Sequence, residues 1–305
     1  MSNKFVSWAI FVILCIIWGS SFKLMHDSQE GLSAVQIAAV RIFSAGLVFM
    51  PFAFFHFNKI PKSKMGLVIL SAIVGNLLPA FLFAEAITKL DSSLAGILNS
   101  LTPICVVLIG VFFFKDHIKS QKIWGVVTGF IGLVLLTVIP MILDNEIMSF
   151  ENFGYTLLIV AATFLYGLNV NMVGHFLKGV NPVHIATVSL AAMTIPTGYI
   201  LWHQGFMNLN FNSNVVQYSI WASVVLGIAG SAIATALFYI LVKKAGMLFA
   251  SLVTYGIPFI ALFWGFIDGE KITWVKWLCL GIILFGVYLA NFQDKKKATP
   301  IDVAE

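Results

Sequence analysis

The chain has 305 residues, 60% of them hydrophobic and only 10% charged, with a formal net charge of +5, and its mean hydropathy is +0.96. Soluble domains carry about 25% charged residues, so a soluble enzyme or binding module is excluded and the composition is that of a polytopic membrane protein. The basic balance argues for no nucleic-acid partner, because most lysines stand in short loops and a tail, where inner-leaflet lipid accounts for them.

Apolar segments of about 20 residues follow one another along the chain. They cover 5–22, 33–57, 65–88, 92–114, 121–141, 152–177, 183–203, 215–242, 247–267 and 273–292. Backbone groups in lipid must be satisfied within each segment, and the alternation of barrel strands is missing, so the expectation is ten transmembrane helices. The first segment ends in Gly19-Ser20-Ser21, as a cleavable signal would, but the repeat described below makes it a permanent span. With the N-terminus inside, 13 lysines fall in inner segments and 4 in outer loops. Asp27, Glu30, Asp91, Asp144, Glu146, Glu151, Asp268 and Glu270 then fall outside, and both termini are expected in the cytoplasm.

The two halves resemble each other. Trp18-Gly19 aligns with Tyr166-Gly167 at a shift of 148, and Val35, Ile37, Ala38 and Val40 align with Val183, Ile185, Ala186 and Val188. Pro103 aligns with Pro258 at a shift of 155, and Asp116-His117-Ile118 with Gly132 aligns with Glu270-Lys271-Ile272 with Gly286 at 154. Five spans per half is an odd number, so the second half enters the membrane from the opposite side. The expected fold is all-α, two inverted five-helix repeats (1–143 and 144–293) followed by a cytoplasmic tail, 294–305.

In chain order stand Trp18-Gly19-Ser20-Ser21-Phe22, Arg41, Ala86-Ile87 before Ser92-Ser93-Leu94-Ala95, Asn99-Ser100-Leu101-Thr102-Pro103, and Gly269-Glu270-Lys271-Ile272-Thr273. In this order the pieces resemble the drug/metabolite transporter superfamily, specifically its EamA-type ten-helix branch. The resemblance covers nearly the whole chain and implies a secondary transporter exporting amino acids, metabolites or toxic compounds. Two departures stand out. Lys115-Asp116-His117-Ile118-Lys119 replaces Gly-Glu-x-x-Thr in the first half, and Glu85 occupies the place of Tyr239.

Arg41 is the single arginine of the chain. A permanently charged guanidinium inside an apolar run needs a partner or a task. It stands about nine residues into its helix, roughly 12 Å deep at about 1.5 Å per residue, within reach of Glu85 near the end of the third helix. Two readings follow: an ion pair pinning the second and third helices, or a cavity site in which Arg41 attracts a carboxylate or phosphate and Glu85 carries a proton. Trp18 and Tyr166 are either interfacial anchors or substrate-stacking rings, each followed by small or polar residues (Ser20, Ser21; Asn169, Asn171). Asn99 and Thr102 before Pro103, and Thr254 and Tyr255 before Pro258, form a third pair. There proline frees a carbonyl that lines the site or marks a gating hinge, unless a hydroxyl simply satisfies the kink.

Cys15, Cys105 and Cys279 lie in apolar runs and read as core residues. The six histidines fall at loops or span ends without metal-ligand spacing. No catalytic residues, metal or cofactor are expected, since phosphate loops, His-Glu-x-x-His and Gly-x-Ser-x-Gly are missing. Gly125, Gly129 and Gly132, with Gly281 and Gly286, offer packing faces for helices five and ten or for a homodimer. The expected function is export of small organic metabolites across the inner membrane by alternating access, with proton coupling through Glu85 as a hypothesis. A lipid flippase and a non-transporting sensor or scaffold are the other classes the sequence leaves open.

Overall fold

The computed structural model describes residues 3–115, 120–143, 150–251 and 253–291, all as helices and short connections. The tail 294–305 and the acid of Lys115-Asp116-His117 lie outside the described residues. The helices are α1 (Asn3–Ser28), α2 (Ala34–Phe57), α3 (Lys62–Ala72), α4 (Leu78–Ile87), α5 (Ser92–Asn99), α6 (Thr102–Phe114), α7 (Ser120–Leu143) and α8 (Phe150–Phe176). They continue as α9 (Pro182–Ala192), α10 (Thr194–His203), α11 (Asn214–Gly227), α12 (Ala234–Ser251), α13 (Val253–Ile267) and α14 (Trp274–Asn291). A π turn, Ile73–Leu77, joins α3 to α4, and a second, Ile228–Ile233, joins α11 to α12.

Among the described residues, seven stretches are long and apolar enough to cross a membrane: Lys4–Ser28, Ala34–Phe57, Lys62–Ile87, Ser92–Phe114, Phe153–Phe176, Pro182–His203 and Asn214–Val242. The segments expected at 121–141, 247–267 and 273–292 are represented by the shorter apolar helices Ile123–Leu136, Val253–Ile267 and Trp274–Leu289. Large apolar side chains such as Phe54, Phe112, Ile195 and Phe266 are exposed, the surface that acyl chains rather than water would cover.

Local chemistry sets two of the helix starts. Ser33 caps α2 through a reciprocal capping box with Gln36, and Asn181 caps α9 by accepting from the Val183 N–H. Two boundaries differ from expectation for one reason: charged residues by themselves do not stop a helix. No glycine or proline occurs between Phe22 and Gly31, so α1 runs past Phe22 through Lys23, His26 and Asp27. Likewise α12 continues across Lys243-Lys244 to Ser251.

The bundle packs α2 against α9, α10 and α11, α1 against α11, α12 and α13, and α8 against α4 and α6, while α7 pairs with α14. In that last pair, a Cβ on Gly132 would meet Ile283 and one on Gly286 would overlap the backbone of Gly129. The glycine face that was open to a second copy of the chain is therefore filled at these positions by the chain's own α14.

Candidate functional site

The π turn Ile228–Ile233 gathers the site. Its sequence, Ile228-Ala229-Gly230-Ser231-Ala232-Ile233, follows Gly227, and the small side chains let α1 and α2 approach its backbone. A Cβ on Gly227 would overlap the carbonyl oxygen of Arg41 and the Oγ of Ser44; one on Gly230 would stand 3.1 Å from Ser21 Oγ. Widening of a helix to i→i+5 bonding leaves backbone groups available to side chains. Here Trp18 Nε1 donates to the Gly230 carbonyl at 2.9 Å. One residue on, Arg41 Nε donates to Ser231 Oγ at 3.5 Å, and its Nη1 points to Met25 Sδ at 3.9 Å. Trp18 and Arg41, from different helices, thus end on adjacent residues of one turn.

Tyr166 enters from α8 and interacts electrostatically with Arg41. Its ring stacks on Phe83 with centroids 6.1 Å apart, and Phe83 in turn meets Phe22 at 5.8 Å. Asn169, one turn along α8, reaches the other π turn instead: its Oδ1 accepts from Ser71 Oγ at 2.6 Å, and its amide occupies the space a Cβ on Gly75 would need. Ser21 is buried, with its hydroxyl donating back to the Ile17 carbonyl at 3.0 Å. The structure therefore brings together Trp18, Ser21, Arg41 and Tyr166, with Asn169 alongside at the Ile73–Leu77 turn.

The expected pairing of Arg41 with Glu85 is corrected. Among the described residues Arg41 has no carboxylate in ion-pair reach. Ala84, Ala86 and Ile87 are buried, whereas Glu85 is exposed. A carboxylate near a helix end keeps its solvation by turning outward, which costs less than following a guanidinium inward.

The proline pair has its own local logic. The chain between α5 and α6 is broken at Ser100 and Leu101, with Pro103 in the first turn of α6. Thr102 Oγ1 donates at 2.8 Å to the Asn99 carbonyl, the oxygen that Pro103 cannot serve, so the kink is satisfied by a hydroxyl. The Asn99 side chain is half-buried. Pro258 is buried inside α13, and Thr254 and Tyr255 are half-buried in the preceding turn.

Contacts at the two ends of the bundle were missed by the sequence reading. At the acid-rich end, Lys23 Nζ lies 2.7 Å from Asp27 and 2.6 Å from Asp268, and Tyr218 donates to Asp27 at 3.1 Å. Lys276 pairs with Asp91 at 2.9 Å and donates to Ser93 Oγ at 3.0 Å. At the opposite end His56 and His184 join through their Nδ1 atoms, and Lys64 donates to the Lys178 carbonyl at 2.7 Å. The Lys23 and Asp27 spacing of four was the one local signal for any of these. Ser231 and Met25 had none beyond the small-residue run beside Ser231.

A model of the EamA-like transporter family matches residues 6–138 and matches again over residues 153–292. The chain belongs to the EamA-like transporter family. The family consists of transporters and not of enzymes, and this member is a multi-pass protein of the inner or plasma membrane. A WAT1-related chloroplastic protein of Arabidopsis thaliana is 20% identical over 96% of this chain and 71% of its own length. Two relatives are 23% identical: an uncharacterized transporter of a Synechocystis strain, over 94% of this chain and 90% of its own length, and the uncharacterized inner membrane transporter YedA of Escherichia coli, over 94% and 93%. A solved crystal structure shares the fold at a TM-score of 0.59 and 16% identity, covering 95% of this chain and 98% of that one.

Proposed function

We propose that this EamA-family protein is a secondary transporter that exports small organic metabolites, amino acids or related compounds among them. It works by alternating access of two inverted five-helix halves, 1–143 and 144–293, with both termini in the cytoplasm. The carrying observation is reciprocal contact between repeat mates. At the shift of 148, Gln36 corresponds to His184 and His56 to Gln204. Gln36 Nε2 donates to the Gln204 carbonyl at 3.0 Å, while His56 meets His184 at the other end of α2 and of the span Pro182–His203. Contacts in which i meets j and the mate of j meets the mate of i are the mark of a two-fold relation. An axis in the membrane plane would exchange the two ends in this way. The π turns, which correspond at the later shift of 155 (Ile73 to Ile228), repeat the pattern: Gly75 faces Asn169, and its counterpart Gly230 faces Ser21, the mate of Asn169 at 148.

In this reading Trp18, Ser21, Arg41, Tyr166 and Asn169 hold the substrate between the two π turns. Asn99, Thr102, Thr254 and Tyr255 extend the pathway, and Pro103 and Pro258 supply its bends. Proton coupling falls to Glu85, an exposed carboxylate at the outer mouth; efflux by Glu85→Gln that keeps the parent's pH dependence removes that element. The central test is counterflow in proteoliposomes against a panel of radiolabelled amino acids and organic acids. At least one solute should exchange, and Trp18→Ala should lose that exchange while retaining a cooperative melt. A panel without exchange overturns the reading.

A further inference from the structure

We infer that Arg41 is the anchor for an oxyanion, a carboxylate or phosphate, on a small soluble molecule, so that the cargo of this pathway is anionic. The inference rests on the transport reading for the role of the anion as cargo; the binding site itself stands on the geometry.

A guanidinium offers five N–H donors in a planar fork. Two of its nitrogens have protein contacts here, and both are weak: a 3.5 Å bond to the Ser231 hydroxyl and a 3.9 Å approach to the Met25 sulfur. The two nearest acids in sequence are Glu30, which is exposed, and Asp27, which is already committed to Lys23 and Tyr218. Among the described residues no other carboxylate lies within ion-pair distance of Arg41. The groups around it are themselves donors. Ser231 accepts from Arg41, and its own O–H has no acceptor among the described residues, so it is left to donate. Trp18 has spent its N–H on the Gly230 carbonyl, so the ring is left as an apolar wall.

This set is rich in donors and poor in acceptors. It would repel a cation and leave a neutral ligand facing an unpaired charge, whereas a carboxylate or phosphate matches the fork bidentately. Membrane interiors do not tolerate an unpaired guanidinium cheaply. Arg41 is half-buried as a residue, and a route for a small anion to its guanidinium is part of what the labelling experiment tests.

The chain's single arginine makes the test direct, since an arginine-selective reagent can label one guanidinium in the unmutated protein. The full chain in phosphatidylcholine nanodiscs is treated with phenylglyoxal at constant ionic strength, and the adduct at Arg41 is followed by peptide mass. Acetate, pyruvate, benzoate and inorganic phosphate are the probes; acetamide and benzamide are the neutral matches. At least one anion should slow labelling five-fold or more with saturation, and the amides should leave the rate unchanged. Equal rates with every anion, or equal slowing by the amides, overturn the inference. So does a failure of Arg41 to label at all, because a guanidinium that small organic cargo reaches must admit a reagent of similar size. Protection conferred by phosphatidylglycerol nanodiscs without added solute, and not increased by any probe, assigns the guanidinium to lipid headgroups and likewise overturns it. Protection without counterflow of any solute would leave the anion site standing and remove the transport reading. Counterflow of neutral solutes without protection would do the reverse.

Discussion

At Glu270 one carboxylate takes three hydrogen bonds: from the Ser92 N–H at 2.9 Å, the Ser92 hydroxyl at 2.8 Å and the Ser93 N–H at 3.2 Å. These are the unpaired donors at the start of α5, where a negative charge also meets the positive end of the helix dipole. Asp91 stands at the N-cap position but makes no side-chain cap bond, because it pairs with Lys276. Space for the carboxylate comes from Gly265, where a Cβ would overlap Glu270 Oε2. Glu270→Ala strands buried donors, so it should lower stability by about 1–3 kcal/mol. Glu270→Gln, which keeps one oxygen acceptor, should lose less; thermal denaturation of both in detergent checks the order. The motif was visible in the sequence as Gly269-Glu270-Lys271-Ile272-Thr273, but its task was not, because the helix it caps starts 178 positions away.

At the scale of elements, the two π turns shape the centre of the bundle. Gly227 stands at the entrance of the second, against the Arg41 backbone, and Gly75 lies within the first, against the side chain of Asn169. A backbone carbonyl in a packed helix cannot move aside, whereas a side-chain amide can rotate. Gly227→Ala should therefore cost about 1–3 kcal/mol, in the range of overpacked cores, and Gly75→Ala less. Melting midpoints of the two variants test this, and equal midpoints would show that both helices yield alike. Hydropathy marks these stretches as apolar helix and nothing more, since a shift to i→i+5 bonding leaves the apolar pattern unchanged. The extension of α1 to Ser28 was hidden for a related reason: polarity marks where a helix leaves lipid, while glycine and caps mark where it ends.

At the scale of the whole molecule, the acid-rich end is tied by side chains from separate parts of the chain. Lys23 bridges Asp27 on its own helix to Asp268 beyond α13, with the three side chains 20%, 15% and 18% exposed. Such partly sheltered pairs are worth on the order of 1 kcal/mol, which corresponds to a factor of about five in a two-state population. If that end opens during transport, Asp268→Asn should favour the open form. A polar maleimide should then label Ser20→Cys about three to five times faster than in the Asp268 parent. An unchanged rate would show that the ion pair does not hold the end closed.

The sequence by itself determined the membrane class, the all-helical character, the family resemblance and the identity of several central side chains. These follow from local chemistry: apolar length is set by lipid thickness, and Arg41, Trp18 and Tyr166 stand out because polar or amphipathic groups inside spans are costly enough to need a reason. Tertiary structure decided the partners. It separated Arg41 from Glu85 and set it beside Ser231, 190 positions away. It also joined His56 to His184 across 128. Those choices depend on which faces of distant helices meet and how closely glycine lets them approach, and no periodicity within a single segment records either.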